Sequence, residues 1–130
     1  MTKYLLDTCT YIWIITDNKK LSNTAKEIFE NKENQIYISI ISQIEISVKH
    51  LKHKIPQLSK PIIEYFDGFR IKSEIDLLNL ECKDVQQLFS LPKIHSDPFD
   101  RLLISQALNN QMTLISPDKK FLKYPVRLVF

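Results

Sequence analysis

Glycine is almost missing. The 130-residue chain has one, Gly68, where average usage of ~7% would give about nine. A dinucleotide fingerprint needs three glycines and a Walker loop needs two, because the backbone must approach phosphate closely there, so both kinds of nucleotide cradle are excluded. Any phosphate chemistry must be done by side chains. Cysteine is nearly as scarce. Cys9 and Cys82 are the only two. They cannot form a four-thiolate zinc site, and so few point to reduced thiols rather than a disulfide framework. No apolar run approaches the ~20 residues that cross a bilayer, and Asp7 interrupts the stretch a signal peptide would need. A cytoplasmic protein without a membrane segment is therefore expected. Neither sign of charge dominates: Lys and Arg number 18 against 15 Asp and Glu, a net +3, which is compatible with an RNA partner without being diagnostic of one.

What is present is ordinary for one soluble domain: 44% of residues are hydrophobic and 25% charged. With no repeat, low-complexity tract or Gly/Ser linker in sight, residues 1–130 read as a single domain. Residues 3–6 form a short apolar run ending at Asp7, and 8–16 continue as an apolar helix with Tyr11, Ile12, Trp13 and Ile15. Tyr4, Tyr11 and Trp13 are read as core or dimer-interface residues. Ser22 fits the N-cap of a second helix that puts Ala25, Ile28 and Phe29 on one face. Residues 35–40 read as a strand, after which Ser42 opens a helix carrying Ile44, Val48 and Leu51. Pro61 suits the first turn of a helix reaching Phe66, which Gly68 breaks. Residues 75–80 then suggest a strand, and 83–89 a helix. Further on, Asp97 caps and Pro98 takes the first position of a helix whose body is 102–110, with Leu102, Leu103, Ala107 and Leu108 toward the core. A buried strand over 112–116, a short turn or helix over 119–122 and a last strand over 126–129 close the chain. Alternating strands and helices imply a parallel sheet covered on both faces.

In such a sheet, residues just past the carboxyl ends of the strands crowd one edge, and ligands bind there. Asp7 and Asp118 occupy such positions, while Glu45 and Asp100 fall in the first turns of helices that start from the same edge, three residues after Ser42 and Asp97. Two like charges ~4 Å apart repel by roughly 4 kcal/mol at an effective dielectric of about 20, so a cluster of acids either holds protons or recruits a cation. Oxygen donors without paired His or Cys favour a hard ion, Mg²⁺ or Mn²⁺, held by one or two carboxylates directly and by the others through water. Ions of this kind support phosphodiester hydrolysis by acidifying a bound water and neutralising charge in the transition state.

The same residues carry a resemblance. Leu5-Leu6-Asp7-Thr8, Ser42-Gln43-Ile44-Glu45-Ile46, the 95–101 segment with Asp97-Pro98-Phe99-Asp100-Arg101 joined to Leu102-Leu103-Ile104-Ser105-Gln106-Ala107, and Leu114-Ile115-Ser116-Pro117-Asp118 occur in the order found in PIN-domain ribonucleases. Over the whole chain the sequence is similar to the VapC-type toxins of bacterial toxin–antitoxin pairs. That resemblance implies a three-layer α/β/α sandwich with a central parallel sheet of about five strands. It also implies Mg²⁺- or Mn²⁺-dependent endoribonuclease activity leaving a 5′-phosphate and a 3′-hydroxyl, a homodimer, and neutralisation by a cognate antitoxin. It makes Asp7, Glu45, Asp100 and Asp118 the catalytic acids, with Asp7 and Asp100 as metal ligands and Glu45 and Asp118 joining directly or through water. Thr8 and Ser116 then support the site, and Asp97 stands as a fifth acid. Cys9 occupies a position where such relatives often have His, and Ser116 one where Thr is more frequent.

Structural accounts of the same residues stand beside the functional ones. Ser42-x-x-Glu45 also reads as a capping box, and Glu45 with Lys49 as a helical ion pair. Asp97 is a good N-cap, Asp7 can cap the helix that follows it, and Asp118 fits a turn. His95 either contacts RNA or orients its loop. Lys49 and Lys52, with His50, His53 and Lys54, form either an RNA phosphate track or a solvated basic face. Arg101 either clamps a phosphate or pairs with a neighbouring acid. A dehalogenase-like phosphatase needs a second Asp where Cys9 stands, and a phospho-receiver domain needs an acid adjacent to Asp7. The remaining competitor is a non-catalytic PIN-like module that binds RNA or a protein partner.

Overall fold

The computed structural model describes residues 2–53, 64–94 and 96–130. Its elements are β1 (Lys3–Leu6), α1 (Thr8–Ile15), α2 (Asn23–Glu30), β2 (Gln35–Ser39), α3 (Ile40–Leu51), a π-helical turn (Glu64–Gly68), α4 (Phe69–Lys72) and β3 (Asp76–Leu78). There follow α5 (Cys82–Gln87), a 3₁₀ turn (Leu88–Ser90), α6 (Pro98–Asn109), β4 (Thr113–Ile115), a second 3₁₀ turn (Lys119–Lys123) and β5 (Leu128–Val129). All five strands run parallel in the order β3-β2-β1-β4-β5.

Strand periodicity divides the core. Leu5 pairs in register with Leu114, and the two belong to one apolar cluster with Leu103, Ile104, Ala107 and Phe121. Leu6, one residue on, pairs with Ile38 and Ile115, and these join Tyr11, Ala25, Ile46, Phe66 and Ile75 in a second cluster. Because successive side chains leave a strand on opposite faces, the clusters lie on the two sides of the sheet, which makes a three-layer α/β/α sandwich. α1, α2 and α4 cover one side and α6 the other, while α3 contributes Ile41 to the first cluster and Ile46 to the second. Tyr11 is fully buried and its hydroxyl donates to the Phe66 carbonyl at 2.6 Å, so it is a core residue. Among the described residues, no helix is long and apolar enough to cross a membrane.

Three local expectations are corrected. The cap of α3 is Ser39, whose hydroxyl accepts from Ile41 N at 3.0 Å. Ser42 is therefore inside the helix, and the box with Glu45 does not form. Ser39 and Ser42 are equally good caps in sequence. The pairing of Ser39 with Leu78 ends the strand and forces the helix to start immediately. Gly68 does not break its helix, since its right-handed helical φ and ψ of −61° and −47° carry the chain into α4. β3 is shorter than the expected strand, and the start expected at Pro61 lies outside the described residues.

Adjacent to β1, β2 lies on one side and β4 on the other. The connection leaving β1 turns toward β2, which opens a crevice at the carboxyl ends of β1 and β4. Asp7 follows β1 at that point and Ser116 follows β4. The ladder extends one step past the strands through Asp7 N donating to Ile115 O at 3.1 Å.

Candidate active site

The crevice is a cleft of about 310 Å³ lined by Asp7, Thr8, Cys9, Glu45, Lys49, Asp97, Asp100, Pro117 and Asp118. Five carboxylates from four separate stretches of chain thus face one space. Local folding delivers each of them. Asp7 is the N-cap of α1, its Oδ1 accepting from Thr10 N at 2.8 Å. Asp97 caps α6 by accepting from Phe99 N at 2.9 Å, and Asp100 follows in the first turn of that helix. Asp118 caps the 3₁₀ turn by accepting from Lys120 N at 2.9 Å. Capping and cleft lining are therefore compatible. The unpaired N–H groups of a helix start call for an acid, and α1 and α6 both start at this edge.

Hydroxyls fix the carboxylates. Ser116 Oγ donates to Asp7 Oδ2 at 2.5 Å and accepts from Asp118 N at 3.1 Å, tying the ends of β1 and β4 together. Thr8 Oγ1 donates to Glu45 Oε1 at 2.6 Å and lies 2.9 Å from Ser42 Oγ. Lys49, one turn along α3, places its ammonium 3.1 Å from Glu45 Oε2. Asp7, Glu45, Thr8 and Ser116 are all buried, between 1% and 7% exposed. Behind them Ser39 donates to Gln106 Oε1, and Gln106 donates to the Asn79 carbonyl, which holds β2 and α6 together under the cleft.

The electrostatics are strained in one direction. Burial raises the Asp7 carboxyl above its ordinary value, with the Glu45 charge adding to the effect and the hydrogen bonds from Ser116 and Thr10 opposing it. Asp100 is pushed up to about 7, first by burial and then by the charges of Asp97, Glu45, Asp7 and Asp118. Burial and the Asp7 charge raise the Cys9 thiol to about 11, so it is neither a ready nucleophile nor a thiolate ligand. A group of acids that hold one another's protons is short of positive charge, and a divalent cation would relieve it. Among the described residues, no set of three or more His, Cys, Asp or Glu side chains is already arranged to hold a metal ion. The all-oxygen donors suit a hard ion held by one or two carboxylates and completed by water, which is how Mg²⁺ is usually bound.

Of the remaining candidates, Lys49 lines the cleft while Lys52 is exposed at the end of α3. His95 and Lys54 lie outside the described residues. Arg101 has partners that neither expectation named. Its Nη2 donates to the Leu88 carbonyl at 3.1 Å and lies 3.4 Å from that of Leu91, bracing the turn between α5 and α6. Arg101→Ala is expected to cost about 1–3 kcal/mol of stability through the loss of these charge-assisted bonds. Thermal unfolding would show the loss, with the specific activity of the folded protein retained. Sequence reasoning missed Thr10, and it gave Ser42 a capping role where the hydroxyl instead lies beside that of Thr8. Thr10 donates to Ile115 O at 3.1 Å as well as supplying the N–H that Asp7 caps. A hydroxyl residue three positions from a motif acid was the available signal in both cases.

The profile of the PIN domain family matches residues 4–126. Among solved structures, the chain is similar to VapBC2 from Rickettsia felis bound to a DNA fragment from its promoter, with a TM-score of 0.73 and 20% identity over 98% of both chains. It is similar to DNA-bound VapBC from Salmonella typhimurium, with a TM-score of 0.73 and 20% identity over 99% of this chain and 98% of that one. A toxin–antitoxin complex from Klebsiella pneumoniae aligns with a TM-score of 0.65 and 18% identity over 98% and 96%. Comparison with curated protein sequences gives no match.

Proposed function

The chain belongs to the PIN domain family, whose profile covers residues 4–126, and on that premise we propose that it is a Mg²⁺- or Mn²⁺-dependent endoribonuclease, the VapC-type toxin of a toxin–antitoxin pair. The observation that carries the reading is the convergence of five carboxylates on a single cleft at the sheet's switch point. When bound, a divalent ion supplies charge neutralisation at a phosphate and an acidified water. Asp7 and Asp100 are the proposed ligands, with Glu45 and Asp118 completing the set directly or through water. Asp97, between its capping role and the cleft, contributes negative charge.

The chain's own residues then do the following. Ser116 aims Asp7 by occupying its Oδ2, and Thr8 aims Glu45 by occupying its Oε1. Asp100, whose carboxyl is pushed up to about 7 by burial and the neighbouring acids, would give up its proton on serving as a ligand. Lys49 in the cleft gives an RNA backbone positive charge to meet, with Lys52 at the end of α3 as a further proposed contact. RNA is the proposed substrate class because the cleft's side chains, with no glycine cradle, can address a backbone phosphate that unstacked single strands present openly. The complexes named for toxin and antitoxin among the structural neighbours support a cognate antitoxin as partner. A homodimer and a cytoplasmic location complete the proposal.

The test is incubation of the purified protein with structured RNA in Mg²⁺, Mn²⁺ or EDTA. Cleavage in either ion, ending in 5′-phosphate and 3′-hydroxyl and abolished by EDTA, is the expected result. Cutting that persists in EDTA would reject the metal mechanism. RNA retained intact in both ions would favour a non-catalytic binding module.

A further inference from the structure

Both oxygens of Glu45 are engaged. Oε1 takes the Thr8 hydroxyl at 2.6 Å and Oε2 faces the Lys49 ammonium at 3.1 Å. The two partners differ in kind. Thr8 is buried at 4% exposure on α1, and its hydroxyl is itself linked to Ser42 of α3. The Lys49 side chain is 38% exposed on a flexible stem while that of Glu45 is 9% exposed, so the ammonium can leave for water at small cost and the carboxylate cannot. Lys49 is also the cationic side chain among the residues lining the cleft, against Asp7, Glu45, Asp97, Asp100 and Asp118.

We infer that Lys49 is a built-in counter-ion of the cleft, holding Glu45 Oε2 in the metal-free protein and competing with a divalent cation for that oxygen. The inference rests on the metal-centre reading given above and adds a residue that acts through Glu45. Lys49 is thus a positioning residue: it holds the buried Glu45 in place when no cation is there, and it lowers the cleft's apparent affinity for one. An incoming cation must displace the ammonium or share Oε2 with it, and the displaced ammonium remains on the cleft's rim. A purely structural helical pair four residues apart would instead leave cation affinity unchanged.

Mn²⁺ binding by the full-length chain, measured by titration calorimetry at neutral pH, tests this without any activity assay. Lys49→Met keeps most of the stem and removes the charge, and is expected to bind Mn²⁺ about tenfold more tightly than the wild type. Lys49→Arg should stay within about threefold of the wild type. In a Glu45→Gln background, Lys49→Met should change affinity by less than about twofold, because the oxygen being contested has lost its charge. Metal-free Lys49→Met should also melt below the wild type and recover when Mn²⁺ is added. Equal Mn²⁺ affinity in the wild type and Lys49→Met would overturn the inference, as would an undiminished gain in the Glu45→Gln background. The two readings fail differently. A wild type that binds no Mn²⁺ ends the metal-centre reading and this inference with it, whereas a wild type that binds normally beside an unaltered Lys49→Met ends this inference alone.

Discussion

Asp7→Asn is expected to lower metal-dependent RNA cleavage by at least about 10³-fold, the equivalent of roughly 4 kcal/mol of transition-state stabilisation, while leaving the fold intact. The separation follows from what each oxygen does. Oδ1 caps α1 through Thr10 N, and Asn is as good an N-cap as Asp, so the amide oxygen can keep that bond. Oδ2 accepts from Ser116. An amide nitrogen there donates to Ser116 Oγ instead, and the serine can accept it beside the Asp118 N–H by turning its own proton away. Burial already disfavours the charged form of Asp7, so a neutral isostere removes a desolvation cost that the carboxylate bears in the absence of a cation. The metal-free variant should therefore melt at or above the wild-type temperature. Parallel cleavage assays and thermal melts check both halves. A variant that folds and still cuts at a wild-type rate would remove Asp7 from the chemistry.

The metal-free protein should lose stability as pH rises from about 5 to about 8, and Asp100→Asn should remove much of that slope. Asp100 titrates at about 7 in the folded protein against a reference of 3.8. The folded state consequently binds the proton more tightly than the unfolded chain, so this group's contribution is fully present below the unfolded value and is lost as pH climbs through the folded one. Asp7, also raised, acts in the same direction. Because Asp100 faces an open cleft and is partly solvated, its share is about 1–2 kcal/mol after discounting for screening, or ~4–8 °C in melting temperature. A cation that binds only the folded, deprotonated site should reverse the trend, giving Mn²⁺-induced stabilisation that increases with pH and releases protons. Asp100→Asn should melt above the wild type at about pH 8 without metal and respond little to Mn²⁺. A melting temperature that is flat across this range, with or without Mn²⁺, would contradict the electrostatic account of the cleft.

The strands were largely legible because their signals are local. Residues 3–6 and 35–39 are dense in β-branched and large apolar side chains. The start of α6 announces itself through Asp97 and Pro98. The middle of the chain was less legible for a physical reason. β3 has three residues and is defined by its pairing with β2, not by any pattern of its own. Gly68 carries a strong breaker signal, yet its backbone stays right-handed helical. The swap of Ser39 for Ser42 as a cap comes from strand pairing, since the ladder decides where a strand ends. Arg101 lies beside the motif acids in sequence, yet its direction around the helix turned it to the carbonyls of Leu88 and Leu91.

Sequence alone determined which atoms are available: oxygen donors in quantity, two thiols, no glycine cradle, and an alternation of strands and helices that sends the ends of β1 and β4 to a common edge. Tertiary structure decided the rest, namely that Asp97 caps α6 and lines the cleft at once, and that Ser116 is paired with Asp7 and Thr8 with Glu45. Composition and spacing act along the chain, but the field felt by a carboxylate depends on how far through space its neighbours lie and how much water separates them, and only the folded sheet sets those distances.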